Sequence, residues 1–204
     1  RAELLDRILG LNGHLIVQPV DGELSDYVDV SARLNNVEGV KLAVPLIEGQ
    51  ALVSSGTGGS GALVRGIREM DLKRVESVAT TIKDGTLDGF DSGEGVAIGI
   101  RMANTMGLRV GDNITLISPE GDVTPFGTTP RVKAYPVSAI FEVGMSEYDS
   151  TFVFMPLSES QLYFNSEGKV TIIELFVDNP DKVQEMRAPV EDAAERPLFL
   201  TDWT

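Results

Sequence analysis

The chain has no cysteine, a single histidine and a single tryptophan among its 204 residues. Without thiols it can build no disulfide, no thiolate metal site and no cysteine nucleophile; the compartment stays open, because many periplasmic proteins lack cysteine too. A lone histidine (His14, heading an apolar run) rules out two-histidine metal ligation, and any histidine-based triad would have to use it. No G-x-S-x-G elbow accompanies it, and a structural or surface role suits it better. Positive charge is scarce: 17 Lys and Arg stand against 31 Asp and Glu, a formal net charge of −14. That balance argues against a nucleic-acid partner and against electrostatic attachment to anionic lipid. No apolar run approaches the ~18 residues of a membrane span, and no signal-peptide pattern opens the sequence.

Two further stretches invite a ligand and do not support one. Ser54–Gly61 (SSGTGGSG) is Gly-rich like a phosphate cradle, yet no Lys-Ser/Thr follows and no helix starts there, so it reads as a flexible loop. Acids at 84, 88, 91 and 94 suggest a calcium loop. Counting from Asp84 places Gly89 correctly at the sixth position but puts Gly95 at the twelfth, where a bidentate Glu is needed. No carboxylate pair is singled out as acid and base either, although a carboxylate-based secreted hydrolase needs only two and stays as the remote alternative. The expectation is a non-catalytic domain with no metal and no cofactor.

What is present is alternation and amphipathic helices. Residues 1–11 carry one apolar face of a helix already under way, and Leu200–Thr204 stop without a cap, so both ends look cut from a longer chain. Strands are predicted at 14–18, 40–46, 50–54, 62–67, 95–98, 113–117, 136–141, 151–156 and 170–177, with a turn at Glu48-Gly49 and another over Gly144–Asp149. Predicted helices are Asp26–Asn35 capped by Ser25, a short turn at 70–75, Ile100–Met106 stopped by Gly107, and a short helix after Ser158 with Leu162 and Tyr163 inward. A last helix starts from Asn179-Pro180, with Val183, Met186 and Val190 inward and a kink at Pro189. The layout is α+β: β-α-β patterns at 12–56 and 150–204 enclose a β-richer middle, 57–149.

Within that middle, Ser118–Pro136 (SPEGDVTPFGTTPRVKAYP) has prolines at 119, 125, 130 and 136. Each removes a backbone donor, so the stretch can be neither a helix nor a central strand. Flanked by strand-like runs, it predicts a long antiparallel arm with Pro125-Phe126-Gly127 near the tip. Val123, Thr124, Pro125, Phe126, Gly127, Thr128, Thr129 and Pro130 carry no charge. Two readings follow: a loop whose Phe126 folds back on its own domain, or a stiff probe offered to a partner protein. Arg131 and Lys133, two residues apart at the arm's base, form a positive spot on one strand face.

Gly99-Ile-Arg-Met-Ala-Asn-Thr-Met-Gly-Leu-Arg-Val-Gly-Asp112, followed by Asn113-Ile-Thr-Leu, resembles a stretch common to extracytoplasmic domains of MacB-type ABC permeases. Thr124–Gly127, Pro130, Ala139–Phe141, Ser146–Asp149 and Phe152–Leu157 narrow the resemblance to the lipoprotein-releasing permeases, the LolC/LolE family. The resemblance implies a periplasmic domain of a bacterial inner-membrane permease, anchored by transmembrane helices outside this sequence. Such a permease extracts lipoproteins and passes them to the chaperone LolA. It implies as partners the ATPase subunit LolD and a second permease subunit. It assigns 12–56 plus 150–204 to the family's Porter subdomain, 57–149 to its Sabre subdomain, Pro119–Pro130 to the chaperone-docking Hook, and Arg131 and Lys133 to the adjoining Pad. A MacB-like efflux or FtsX-like mechanotransmission domain would share the core without needing the uncharged arm.

Overall fold

A computed structural model describes residues 15–20 and 22–202. The expected opening helix, His14 and Trp203 lie outside them. The chain divides into two compact units, one of residues 1–47 with 167–204 and one of residues 48–166.

In the first unit, β1 (Leu15–Pro19) lies between β10 (Leu198–Asp202) and β9 (Ile172–Val177), and β9 pairs on its other side with the first half of β2 (Val40–Ser54). All three pairings are antiparallel. Leu15 sits opposite Leu175 and Val17 opposite Ile173, and all four are buried. Helix α1 (Tyr27–Asn35) buries Val30 and Leu34, and α7 (Arg187–Ala194) buries Val190 and Ala194. Arg33 ties the two helices by donating to the carbonyls of Ala193 (2.8 Å) and Ala194.

In the second unit, β3 (Gly59–Ile67), β8 (Phe152–Pro156), β5 (Val96–Gly99), β7 (Gly127–Phe141) and β6 (Asn113–Thr124) follow the second half of β2 around a ring. The ring closes because β6 pairs with β7 on one side and with residues 52–54 of β2 on the other. Closure removes sheet edges and encloses alternate side chains. Ala51, Val53, Val64, Ile98, Ile114, Leu116, Tyr135, Val153 and Met155 fill the interior. Helix α4 (Ile100–Met106) adds Met102, Ala103 and Met106 and ends at Gly107, whose left-handed φ of +64° is the cap that the sequence predicts. A short strand, β4 (Ile82–Gly85), pairs with the far end of β7.

Several expectations are corrected. Residues 150–166 fall in the barrel unit rather than with the chain ends, because β8 hydrogen-bonds to β3 and β5. Likewise 48–56 belong to the barrel, and no turn forms at Glu48-Gly49, since β2 runs unbroken from Val40 to Ser54. The Gly/Ser run is not a loose loop. It is a tight turn between β2 and β3, and the hydroxyls of Ser55 and Thr57 each donate to the Met106 carbonyl at 2.7 Å, satisfying the open end of α4. Gly144–Asp149 is turn only in part, as Ser146–Thr151 form helix α5. Ser25 and Ser158 are not the caps: Asp26 precedes α1 at the N-cap position, its carboxylate paired with Arg196, and α6 (Leu157–Tyr163) follows Pro156 directly. Leu162 faces solvent. Pro189 lies in the first turn of α7, where its missing donor is not required, and the break falls before it, with Lys182 outside helical geometry. Asn179 does cap, accepting from the Asp181 amide at 3.1 Å. Strand β10 carried no sequence prediction.

Candidate functional site

The Pro-rich stretch is a hairpin, formed by the distal halves of β6 and β7. At its tip Thr124 pairs with Gly127, leaving Pro125-Phe126 as the connection. A primed two-residue turn needs positive φ at its first central residue, which proline cannot supply. Here Gly127 takes the reversal instead, at φ +115° with open space around its missing Cβ. The Thr124 hydroxyl donates to the Gly127 carbonyl at 2.6 Å and accepts from the Phe126 amide at 3.3 Å, closing the turn on itself. Phe126 is fully exposed and Val123 is 87% exposed. Of the two readings of Phe126, the geometry matches the one in which the ring stands clear of its own domain.

Halfway down, the register slips. Ser118 faces Arg131 and Asp122 faces Thr129, so β6 carries two extra residues opposite β7. Pro119 and Gly121 lie in this bulge. A Cβ on Gly121 would come within 2.0 Å of the Thr129 carbonyl oxygen and 2.6 Å of the Arg131 amide, so only glycine permits the approach.

The arm's root is clamped from one side. Arg131, Lys133 and Tyr135 share one face of β7 and turn toward α6. Arg131 donates to the Leu162 carbonyl at 2.8 Å and to the Tyr163 carbonyl, at the C-terminal end of α6. Lys133 meets the Glu159 carboxylate at 2.5 Å, and the Tyr135 hydroxyl donates to the same oxygen at 3.0 Å. The rings of Tyr135 and Tyr163 meet edge to face. Burial, with the hydrogen bond to Glu159 next, holds the Tyr135 hydroxyl well above its ordinary pKa. Burial likewise pushes Tyr163 up to about 12, against the opposing charge of Arg131.

Pro119, Val123, Thr124, Pro125, Phe126, Gly127, Thr128, Thr129 and Pro130 therefore come together on one projecting element. Arg131 and Lys133 do not form the open positive spot that their spacing suggested; both are engaged with α6. Sequence reasoning missed Gly121, Tyr135 and Glu159, which set the arm's course. Glu159 lies 26 residues from Lys133 in the chain, and no local pattern could have paired them. Two of the acids of 84–94 are engaged elsewhere: Asp91 and Glu69 accept from each other's amides, and Lys73 bridges Glu69 and Asp88. Among the described residues no group of three or more His, Asp or Glu is placed to hold a metal ion.

The fold is that of the extracytoplasmic domains of ABC-type permeases. It superposes on the periplasmic region of MacB from Actinobacillus actinomycetemcomitans with a TM-score of 0.59, at 14% identity, covering 98% of this chain and 94% of that one. The extracellular domain of the noncanonic ABC-type transporter YknZ from Gram-positive bacteria gives 0.57 at 17% identity, covering 95% and 100%. In sequence the chain is similar to the lipoprotein-releasing system transmembrane proteins: to LolC of Xylella fastidiosa Temecula1 (29% identical over 203 residues), LolC of Neisseria meningitidis serogroup B (24% over 204) and LolE of Haemophilus influenzae Rd (20% over 206). These likenesses cover 98–99% of this chain, which spans about half the length (49%) of the curated relatives it matches. No protein-family model matches. The resemblance to the LolC/LolE permeases thus runs the length of the chain, on the fold of a permease's periplasmic domain. Among the described residues no helix is long and apolar enough to cross a membrane.

Proposed function

We propose that this chain is the periplasmic domain of an inner-membrane ABC permease that releases lipoproteins, and that the arm 119–130 docks the periplasmic chaperone LolA. The supporting observation is the arm itself: a hairpin uncharged from Val123 to Pro130, presenting a fully exposed Phe126 on a turn closed by its own hydrogen bonds. An exposed aromatic lowers solubility and gives nothing to the fold, whereas a buried aromatic anchor is a typical hot spot of a protein interface. In this reading residues 12–47 and 167–204 act as the Porter-like part and the barrel as the Sabre-like part. The domain carries no catalytic residue of its own. ATP is hydrolysed by LolD in the cytoplasm, lipoproteins are the cargo, and a second permease subunit completes the transporter.

The likeness to MacB and YknZ alone would also fit an efflux or mechanotransmission domain. The arm separates the two. The test is calorimetric titration of purified LolA with this chain and with a variant in which residues 122–129 are replaced by a short Asn-Gly turn. A saturable complex that disappears with the arm is expected; equal binding by the armless chain would overturn the reading.

A further inference from the structure

The chain enters the barrel unit at Glu48 and leaves it at Ser166. Within that unit the two points are tied to each other. A Cβ on Gly49 would come within 2.5 Å of the Phe164 ring, so the ring lies directly against the backbone one residue inside the entry. Glu48 is fixed separately, through an ion pair of 3.0 Å to the buried Arg65 of β3. Beyond the two points both stretches run on into the first unit, one as the first half of β2 and the other toward β9.

The exit is stiff as well. Helix α6 ends in a left-handed residue, Asn165 at φ +58°, and asparagine is the usual choice there after glycine. The Ser166 amide donates back to the Gln161 carbonyl at 2.8 Å and the Asn165 amide to the Leu162 carbonyl at 3.3 Å. This double closure fixes the direction in which a chain leaves its helix. Arg131 at the arm's root holds the same turn. It donates to the Leu162 and Tyr163 carbonyls, and its own carbonyl accepts from the Tyr163 hydroxyl at 3.4 Å. About one turn earlier in α6, Glu159 takes Lys133 and Tyr135. A polar cavity of about 240 Å³ opens between Gly49, Gly121, Arg131, Phe164 and Asn165, so these parts meet through discrete contacts around a common space.

We propose that α6 and its left-handed cap act as a strut, coupling the direction of the arm to the points where the chain enters and leaves the barrel. Two fastenings about one turn apart, Lys133 on Glu159 and Arg131 on the helix end, fix an angle between arm and helix as well as a distance. The residue after the helix, Phe164, then carries that angle to Gly49 on the entry strand, and Asn165 carries it to the exit. A shift of the arm is therefore felt at both points, and a shift at either point turns the arm, because coupling between sites is reciprocal. The coupling is a property of the free domain. Its use in passing on a docking event rests on the reading of the arm given above.

The experiment reads residue-resolved amide exchange by NMR in the free 204-residue chain and in Lys133→Met, Phe164→Leu, Asn165→Ala and Asn165→Gly. Alanine at the exposed position 165 strains the left-handed turn, whereas glycine adopts it freely. Asn165→Ala and Phe164→Leu should speed exchange at arm residues 122–129 by about fivefold or more, although neither residue belongs to the arm. Lys133→Met should speed the Asn165 and Ser166 amides by a similar factor, and Asn165→Gly should leave the arm near the parent. Effects confined to the substituted residue and its neighbours would overturn the strut, as would an effect in one direction only. Strand β5 serves as reference: equal acceleration there would mean a general loosening of the barrel and would also overturn it. Titration of LolA with the parent chain tests the docking reading apart from this; no complex would end that reading, while the strut stands or falls on the exchange.

Discussion

Replacing Phe126 by alanine should weaken LolA binding by about thirtyfold and leave folding untouched. The ring is fully exposed in the free domain, so all of its surface is available to be buried on docking. A phenylalanine of this kind buries on the order of 150 Å², a ceiling of ~4 kcal/mol at about 25 cal/mol per Å². Alanine keeps part of that area, and ordering the side chain costs about 1 kcal/mol, which leaves ~2 kcal/mol, or about thirtyfold in Kd. The backbone adds little to the cost, because proline at 125 and the Thr124 hydroxyl already hold the turn. Calorimetric titration of LolA with both proteins, beside thermal melts of each, is the assay. Equal affinities would remove Phe126 as the anchor. A fall of several degrees in Tm would show instead that the ring packs on its own domain.

Gly121→Ala should destabilise the domain by about 1–3 kcal/mol and loosen the arm, because the new Cβ collides with backbone that cannot retreat; faster amide exchange at residues 122–129 together with a lowered Tm would check it, and an unchanged Tm would refute the bulge geometry. Tyr135 and Tyr163 are both held above the ordinary tyrosine value of 10.0, so the unfolded chain releases these protons first. Stability should therefore hold up to about pH 10 and fall as the pH rises beyond it, with both phenols ionising at 295 nm only as the domain unfolds; early, reversible titration of all four tyrosines in the folded state would contradict this. Asn179→Ala removes the acceptor for the Asp181 amide and should lower stability by about 1 kcal/mol without affecting LolA binding.

The elements that were legible in the sequence are those whose signal is local. Helix α4 was bounded by its apolar spacing and by Gly107, and both signals lie within about two turns of chain. The arm was legible because four prolines exclude the alternatives, whatever the rest of the fold does. The pairings were not legible. That β8 would enter the barrel depends on the parallel match of Leu63 with Phe152, 89 positions apart, and no property of either segment announces it. Strand β10 escaped because its few residues have an alternation too short to separate from a loop. Arg131 and Lys133 were misread for a related reason. Two basic residues on one strand face look like an open patch until the fold brings Glu159 and the last carbonyls of α6 against them.

The arm is not an appendage joined to the barrel by a hinge. Its two strands are the distal continuation of β6 and β7, and the same strands form adjacent staves of the closed ring lower down. A load placed on Phe126 therefore passes along a hydrogen-bonded ladder into the barrel wall, interrupted only at the two-residue bulge. At that point the chain supplies its bracing: Arg131 and Lys133 fasten β7 to α6 just below the slip, and Gly121 lets the strands close tightly across it. A ribbon of two strands is marginal by itself. Continuity with the ring on one side and the clamp on the other give this one a fixed direction before any partner arrives. That is what an element must have if docking at its tip is to move, or be moved by, the rest of a transporter.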